Sequence, residues 1–243
     1  FSDPFNLARS FSSLDHISHG RAAWNVVTSF STDVARNFSR DDMPTHAERY
    51  AVAHEFLEAT FKLWEGWQEG AVQPDKASGQ YFVNEKIQPV NHQGKYFQVQ
   101  GPLNITRSPQ GRPVIIEAGS SADGQKLAAA TAEVVFTAAA TLEEAQTFYR
   151  AQKQQVIEAG RNPDHVLILP GVMPIVGRTL EEAHETWREL NSLVDIDNGI
   201  RQLSTRFNMD LSAFPLDGPV PDVPAGEGNQ SRVKLLTDLA YRK

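Results

Sequence analysis

Cysteine is absent from this 243-residue chain, which excludes disulfides, thiolate metal sites and cysteine nucleophiles and is compatible with a reducing, cytoplasmic setting. No apolar run approaches the roughly 20 residues of a membrane-spanning helix, and no stretch reads as a signal peptide. An excess of positive charge is missing too. With 23 Lys and Arg against 30 Asp and Glu the formal charge is −7, so neither nucleic acid nor an anionic membrane surface is expected as the main partner, and a small-molecule ligand fits better. The glycine patterns of the commonest nucleotide sites, GxGxxG and Walker A, do not occur, nor does the GxSxG nucleophile elbow. His16 with His19, and His46 with His54, lack the carboxylate that would complete a recognisable set, so no metal is expected.

What is present is 40% apolar and 22% charged residues, enough for one globular domain over residues 1–243. Ser2 or Asp3 can cap a helix with Pro4 in its first turn, along which Phe5, Ala8, Phe11 and Leu14 recur at helical spacing until Gly20. Residues 22–28 read as a buried strand. Thr45 and Glu48 form a capping box, opening a helix to about Trp67 whose Tyr50, Ala53, Leu57, Phe61 and Trp64 make one buried face. The runs Val114-Ile115-Ile116, Val134-Val135-Phe136 and Val166-Leu167-Ile168-Leu169 are short and continuously apolar, as strands buried on both faces are. Thr141 with Glu144 and Thr179 with Glu182 start the helices that follow the second and third runs. This alternation predicts a parallel α/β sheet, either open or closed into a barrel. Residues 71–112 interrupt it as an inserted hairpin and loop region, with strands expected at 81–83 and 96–99. Residues 210–243, rich in Pro and Gly, read as an irregular C-terminal arm.

In parallel α/β proteins ligands gather where strand passes to helix, and three such junctions carry polar groups. Asn25 sits within an apolar strand, where an amide needs partners, and Thr28 and Ser29 stand at its end. The alternative is a core amide satisfied by the backbone. At the helix start after Thr45, free amides and the helix dipole favour an anion, and His46 and Tyr50 project from one face. The alternative there is a surface histidine beside a packing tyrosine. In Glu117-Ala118-Gly119-Ser120-Ser121 a strand runs into a tight turn and another helix start, where Ser120 and Ser121 offer hydroxyls and amides or serve simply as a cap.

Several segments carry a family resemblance. Leu14-Asp15-His16-Ile17-Ser18 leading to Gly20-Arg21, then Trp24-Asn25-Val26-Val27-Thr28-Ser29, then Glu48-Arg49-Tyr50, resemble the LDHxSxGR, WNxVTS and ERY signatures of the luciferase-like flavin monooxygenases, nitrilotriacetate monooxygenase component A type. Asn91-His92, Gly94-Lys95-Tyr96-Phe97, Gly101-Pro102-Leu103, Ser108-Pro109-Gln110, Gly119-Ser120-Ser121 and Phe214-Pro215-Leu216-Asp217 resemble further family segments, so the likeness spans nearly the whole chain. Glu117 stands where the family usually has Gln, and His19 where Gly is usual.

The resemblance implies a (β/α)8 TIM-type barrel. Family members are longer, and core strand signals are legible only near Ala23, Ile115, Val135 and Leu167. The barrel in this chain is therefore expected to be incomplete at both ends. The implied activity is the oxygenase component of a two-component monooxygenase. Reduced FMN, supplied by a separate NAD(P)H:flavin reductase, reacts with O2 to a C4a-peroxide that oxygenates a small organic substrate. By motif match, Asn25 and Thr28 become flavin contacts, and Ser29, His46, Tyr50, Ser120 and Ser121 phosphate-side contacts, with no catalytic acid or base assigned. A homodimer or tetramer is expected on family grounds alone. A deazaflavin-dependent oxidoreductase of the same superfamily and a non-catalytic flavin-binding barrel are the alternatives, as is a phosphate-binding barrel lyase or isomerase, for which Glu117 alone offers a strand-end carboxylate.

Overall fold

The computed structural model describes residues 2–29, 31–207, 209–219, 221 and 236, with Arg206 described in its backbone only. The chain divides into two compact units, residues 1–137 with 146–169 and residues 138–145 with 170–243.

In the first unit, helix α1 (Pro4–Ile17) is capped by Asp3, whose side chain accepts the N–H groups of Phe5 and Asn6. Its buried stripe is Pro4, Ala8, Ser12 and Asp15. Leu14, expected on that stripe, lies off it and is 47% exposed. Strand β1 (Ala23–Val26) and the short helix α2 (Thr32–Arg36) lead to helix α3 (His46–Glu65). Thr45 Oγ1 accepts the Glu48 N–H at 3.3 Å, the cap expected from their spacing, and the helix stops shortly before Trp67. The core forms where α1 and α3 meet the β1 face carrying Trp24. That ring lies 5.7 Å from Phe11 and 6.3 Å from Trp64, and Trp64 Nε1 donates to the Ala8 carbonyl at 3.0 Å, so the indole is buried with its polar atom satisfied.

Strand β2 (His92–Gln93) pairs antiparallel with β3 (Gln98–Val99). The strand expected at 96–99 thus finds its partner at 92–93 rather than 81–83, and Phe82 instead bridges Val72. A carboxylate makes the choice: Glu55 of α3 accepts the N–H groups of Lys95 at 3.0 Å, Tyr96 at 2.9 Å and Phe97 at 2.7 Å. Gly94 leaves room for it, because a Cβ there would run into the Glu55 carboxylate.

Then follow β4 (Val114–Glu117), α4 (Ala122–Thr131), β5 (Val134–Thr137), α5 (Leu142–Glu158) and β6 (Leu167–Pro170). The sheet order is β1-β4-β5-β6, with β4 parallel to both β1 and β5. Gly160, with φ of +75°, terminates the turn after α5. The apolar runs do form strands, and for those at 134–136 and 166–169 the structure corrects the expectation that they are buried on both faces. Trp24, Val26, Ile115, Glu117, Val135 and Thr137 lie on the covered side, where α1, α3 and α4 pack, whereas Ala23, Asn25, Phe136, Leu167 and Leu169 are exposed. Among the described residues of this unit, α1, α3 and α4 cover the side that carries Trp24 and Val26.

A buried acid ties the lower ends of α1, β1 and β4 together. Asp15 Oδ1 accepts from the Ala22 N–H at 3.3 Å and from Gln110 Nε2 at 2.6 Å, and Oδ2 accepts the Gln110 N–H at 2.9 Å. Gln110 Nε2 also donates to the Ala22 carbonyl at 2.8 Å. Burial pushes the Asp15 carboxyl up, but the bonds led by Gln110 outweigh it and hold the acid below its ordinary value.

In the second unit, Thr141 Oγ1 accepts the Glu144 N–H, the cap read from sequence, while the Glu144 carboxylate accepts the N–H of Ala140, one residue before the cap. Helix α6 (Leu180–Ser192) repeats the device: Thr179 accepts from Glu182 and Glu182 from the Arg178 N–H. Helix α7 (Ile196–Phe207) and a short 3-10 turn at Leu211–Ala213 follow. Most of the arm expected at 210–243 lies outside the described residues. Among the described residues no helix is long and apolar enough to cross a membrane.

Candidate functional site

Two helix starts come together above β4. Helix α4 is capped by Ser121, whose Oγ accepts the Gly124 N–H at 3.2 Å, and α3 is capped by Thr45. The first turns of α-helices hold backbone N–H groups without intrahelical partners and carry partial positive charge. Two glycines permit the tight passage from β4 into α4. A Cβ on Gly119 would lie 2.8 Å from Gly124 Cα, and one on Gly124 would lie 2.9 Å from Gly119 Cα and 3.0 Å from the Tyr50 hydroxyl oxygen. The turn therefore folds back onto the first turn of its own helix, with the phenol of α3 against it.

His46 and Tyr50 stand one helical turn apart on α3, their ring centroids 4.8 Å apart. Ser121 Oγ reaches the Tyr50 hydroxyl at 3.5 Å, and Ser120 is its neighbour, its carbonyl accepting from Gln125 Nε2 at 2.9 Å. The structure thus brings His46, Tyr50, Ser120 and Ser121 into one cluster. Asn25, Thr28 and Ser29 belong to the adjacent strand end. In the parallel register Asn25 pairs with Ile116 and Val26 with Glu117, so the carboxyl ends of β1 and β4 run side by side. Asn25 was expected to be an amide buried in an apolar strand. It is exposed on the uncovered face of β1, because alternation sends Trp24 and Val26 to the helices and Asn25 the other way. Thr28 and Ser29 are half-buried, and Ser29 takes a positive φ of +38°.

The charged groups around this cluster were not all legible. Asp123, in the first turn of α4, places Oδ2 3.2 Å from His46 Nδ1. His54 feels the same carboxylate: burial lowers its pKa and Asp123 opposes the shift. Asp123 and Gly124 went unread as site residues. The available signals were the Gly119 and Gly124 spacing within GSSADG and an acid just inside a helix cap. Glu117 is held elsewhere. Its side chain, 3% exposed, lies on the covered side, where Thr131 Oγ1 in the last turn of α4 donates to it at 2.6 Å. Burial pushes this carboxyl up to about 7, against the opposing pull of the Thr131 bond and of Arg161.

A histidine, a phenol, two serines and two helix starts around a glycine-tight turn offer hydrogen-bond donors of the kind that an anion such as a phosphate group takes, with the Asp123 carboxylate beside them. The sequence pattern of the luciferase-like monooxygenases matches residues 1–217. This chain belongs to the luciferase-like monooxygenase family. Among its luciferase-like relatives, the N-acetyl-S-(2-succino)cysteine monooxygenase of Bacillus subtilis is 48% identical over 100% of this chain and 56% of that protein. Nitrilotriacetate monooxygenase component A of Aminobacter aminovorans is 46% identical over 100% of this chain and 54% of that protein. The crystal structure of a riboflavin lyase, solved with modified FMN and riboflavin, superposes with a TM-score of 0.89 at 31% identity, covering 97% of this chain and 52% of that one. The chain spans about half the length of the curated relatives it matches. The parallel α/β architecture is thus the luciferase-like fold, and family membership implies a flavin cofactor.

Proposed function

We propose that this chain is the FMN-binding part of an oxygenase component, working with a separate NAD(P)H:flavin reductase and O2 on a small organic substrate. The observation that carries this reading is the cluster of His46, Tyr50 and Ser121 at two helix starts, within a chain similar along its whole length to named monooxygenases. In this reading the phosphate of FMN lies at the starts of α3 and α4. His46, Tyr50, Ser120 and the free amides donate to it, and Ser121 divides its hydroxyl between capping and contact. Ser29 approaches from the neighbouring strand end, while Asn25 and Thr28 meet the ring system. When bound, the reduced flavin supplies the activation of O2. The chain's own residues bind and orient it, and no side chain here is given a proton-transfer step. Polycarboxylates head the substrate candidates, because the two relatives above are named for nitrilotriacetate and a succinylated cysteine.

Anaerobic titration with reduced FMN, followed by admission of oxygen, tests the reading. Saturable binding and reoxidation slower than that of free reduced FMN are expected. Reoxidation at the free rate, with no binding step, refutes it.

A further inference from the structure

We infer that Asp123 is a positioning residue that fixes the His46 imidazole toward the phosphate, an inference that rests on the flavin reading above. His46 Nδ1 lies 3.2 Å from Asp123 Oδ2, with the histidine side chain 16% exposed and the aspartate 44% exposed. The imidazole is thus largely enclosed while its partner stays at the surface. Tyr50 bounds the ring from a second direction, its centroid 4.8 Å away and its plane inclined by 46°. Tyr50 is itself seated against Gly124, one residue beyond Asp123. Tyr50 of α3 and Asp123 of α4 therefore bound the imidazole from two directions, with Gly124 behind Tyr50.

Charge makes the same point. A carboxylate in the first turn of α4 complements that helix's own dipole, yet by itself it opposes any second anion at the same helix start. Interposing an imidazole removes the conflict. With Nδ1 facing Asp123 Oδ2 at 3.2 Å, Nε2 is the ring nitrogen turned away from the carboxylate, the orienting role that carboxylate partners of functional histidines play elsewhere. The other titratable groups near Asp123 are His54, which also senses it, and Tyr50. His54 is the control position.

The test uses the whole chain carrying Asp123→Ala or Asp123→Asn, titrated with FMN and with riboflavin, which lacks the phosphate, and followed by flavin fluorescence. Asp123→Ala is expected to weaken FMN about tenfold, the scale seen for lost orienting partners, and riboflavin by less than about twofold; Asp123→Asn, which keeps an acceptor, falls between. Equal losses for the two flavins, or unchanged FMN affinity, overturn the inference, since a merely structural role does not distinguish them. Ring 15N spectra of His46 without flavin, assigned with His46→Gln, read the pair directly. A proton on Nδ1 that is lost in Asp123→Ala supports it, and an unchanged ring overturns it. If the parent chain binds neither flavin, the flavin reading falls. The ring spectra then show whether the ligand or the Asp123 pairing was at fault.

Discussion

Replacing Glu117 by glutamine is expected to stabilise the protein at alkaline pH and to do little at acid pH. In the folded chain this carboxyl is enclosed between β4 and α4, and burial raises it from an ordinary 4.5 to about 7. Between those values the folded protein holds a proton that the unfolded chain releases, so folding stability falls as pH rises through the window and levels off above it. That separation corresponds to about 3 kcal/mol at roughly 1.4 kcal/mol per pH unit. Glutamine removes the titration while its carbonyl keeps the bond from Thr131 Oγ1, 2.6 Å long in the parent. The full gain is reduced by whatever its new N–H groups leave unsatisfied. Urea unfolding of parent and Glu117→Gln, followed by fluorescence of Trp24 and Trp64 in the surrounding core, gives the difference directly. It should be near zero at about pH 4.5 and approach 3 kcal/mol at pH 8. A difference that does not change across that range refutes the reasoning, because a pure packing effect carries no proton.

Three further substitutions bear on the site and its supports. His46→Ala should weaken FMN more than riboflavin, and equal losses in paired titrations would remove His46 from the phosphate. Gly124→Ala places a methyl 2.9 Å from Gly119 Cα. It should lower stability by about 1 to 3 kcal/mol through overpacking, seen as a reduced urea midpoint, and weaken FMN by displacing Tyr50. Glu55→Ala strips the acceptor from the N–H groups of Lys95, Tyr96 and Phe97, and hydrogen exchange at those amides should accelerate while exchange in β4 stays slow. Since those bonds hold the Glu55 carboxylate below its usual range against the upward push of burial, the stability they lend is present at neutral pH and lost as pH falls through the folded value.

The parts of the fold that sequence made legible are those governed by neighbours along the chain. The caps at Thr45, Thr141 and Thr179 obey a spacing rule satisfied within one turn, and all three accept the expected N–H. His46 and Tyr50 share a helix face for the same local reason. The misreadings arose where a distant partner decides. Nothing near residues 81–83 or 92–99 announces that Glu55, on another element, selects the hairpin. An apolar run reads alike whether one or both faces are covered, so the exposure of Asn25 was invisible. The pairing of His46 with Asp123 joins two helix starts that only tertiary packing brings together.

The Asp15 clasp has a consequence for how this sequence tolerates insertion and deletion. By gripping both Ala22 and Gln110, it sets the frame in which β1 enters beside β4. Side chains on a strand alternate sides with every residue, and Trp24 and Asn25 are adjacent. Removal of one residue between Gly20 and Ala23 would leave the strand apolar and hydrogen-bonded yet exchange the roles of its faces. The indole would then stand in the open where the amide had been, and the amide would be pressed into the aromatic core. Length in that short link is therefore chemical information, and it is stored in a carboxylate far from the proposed ligand.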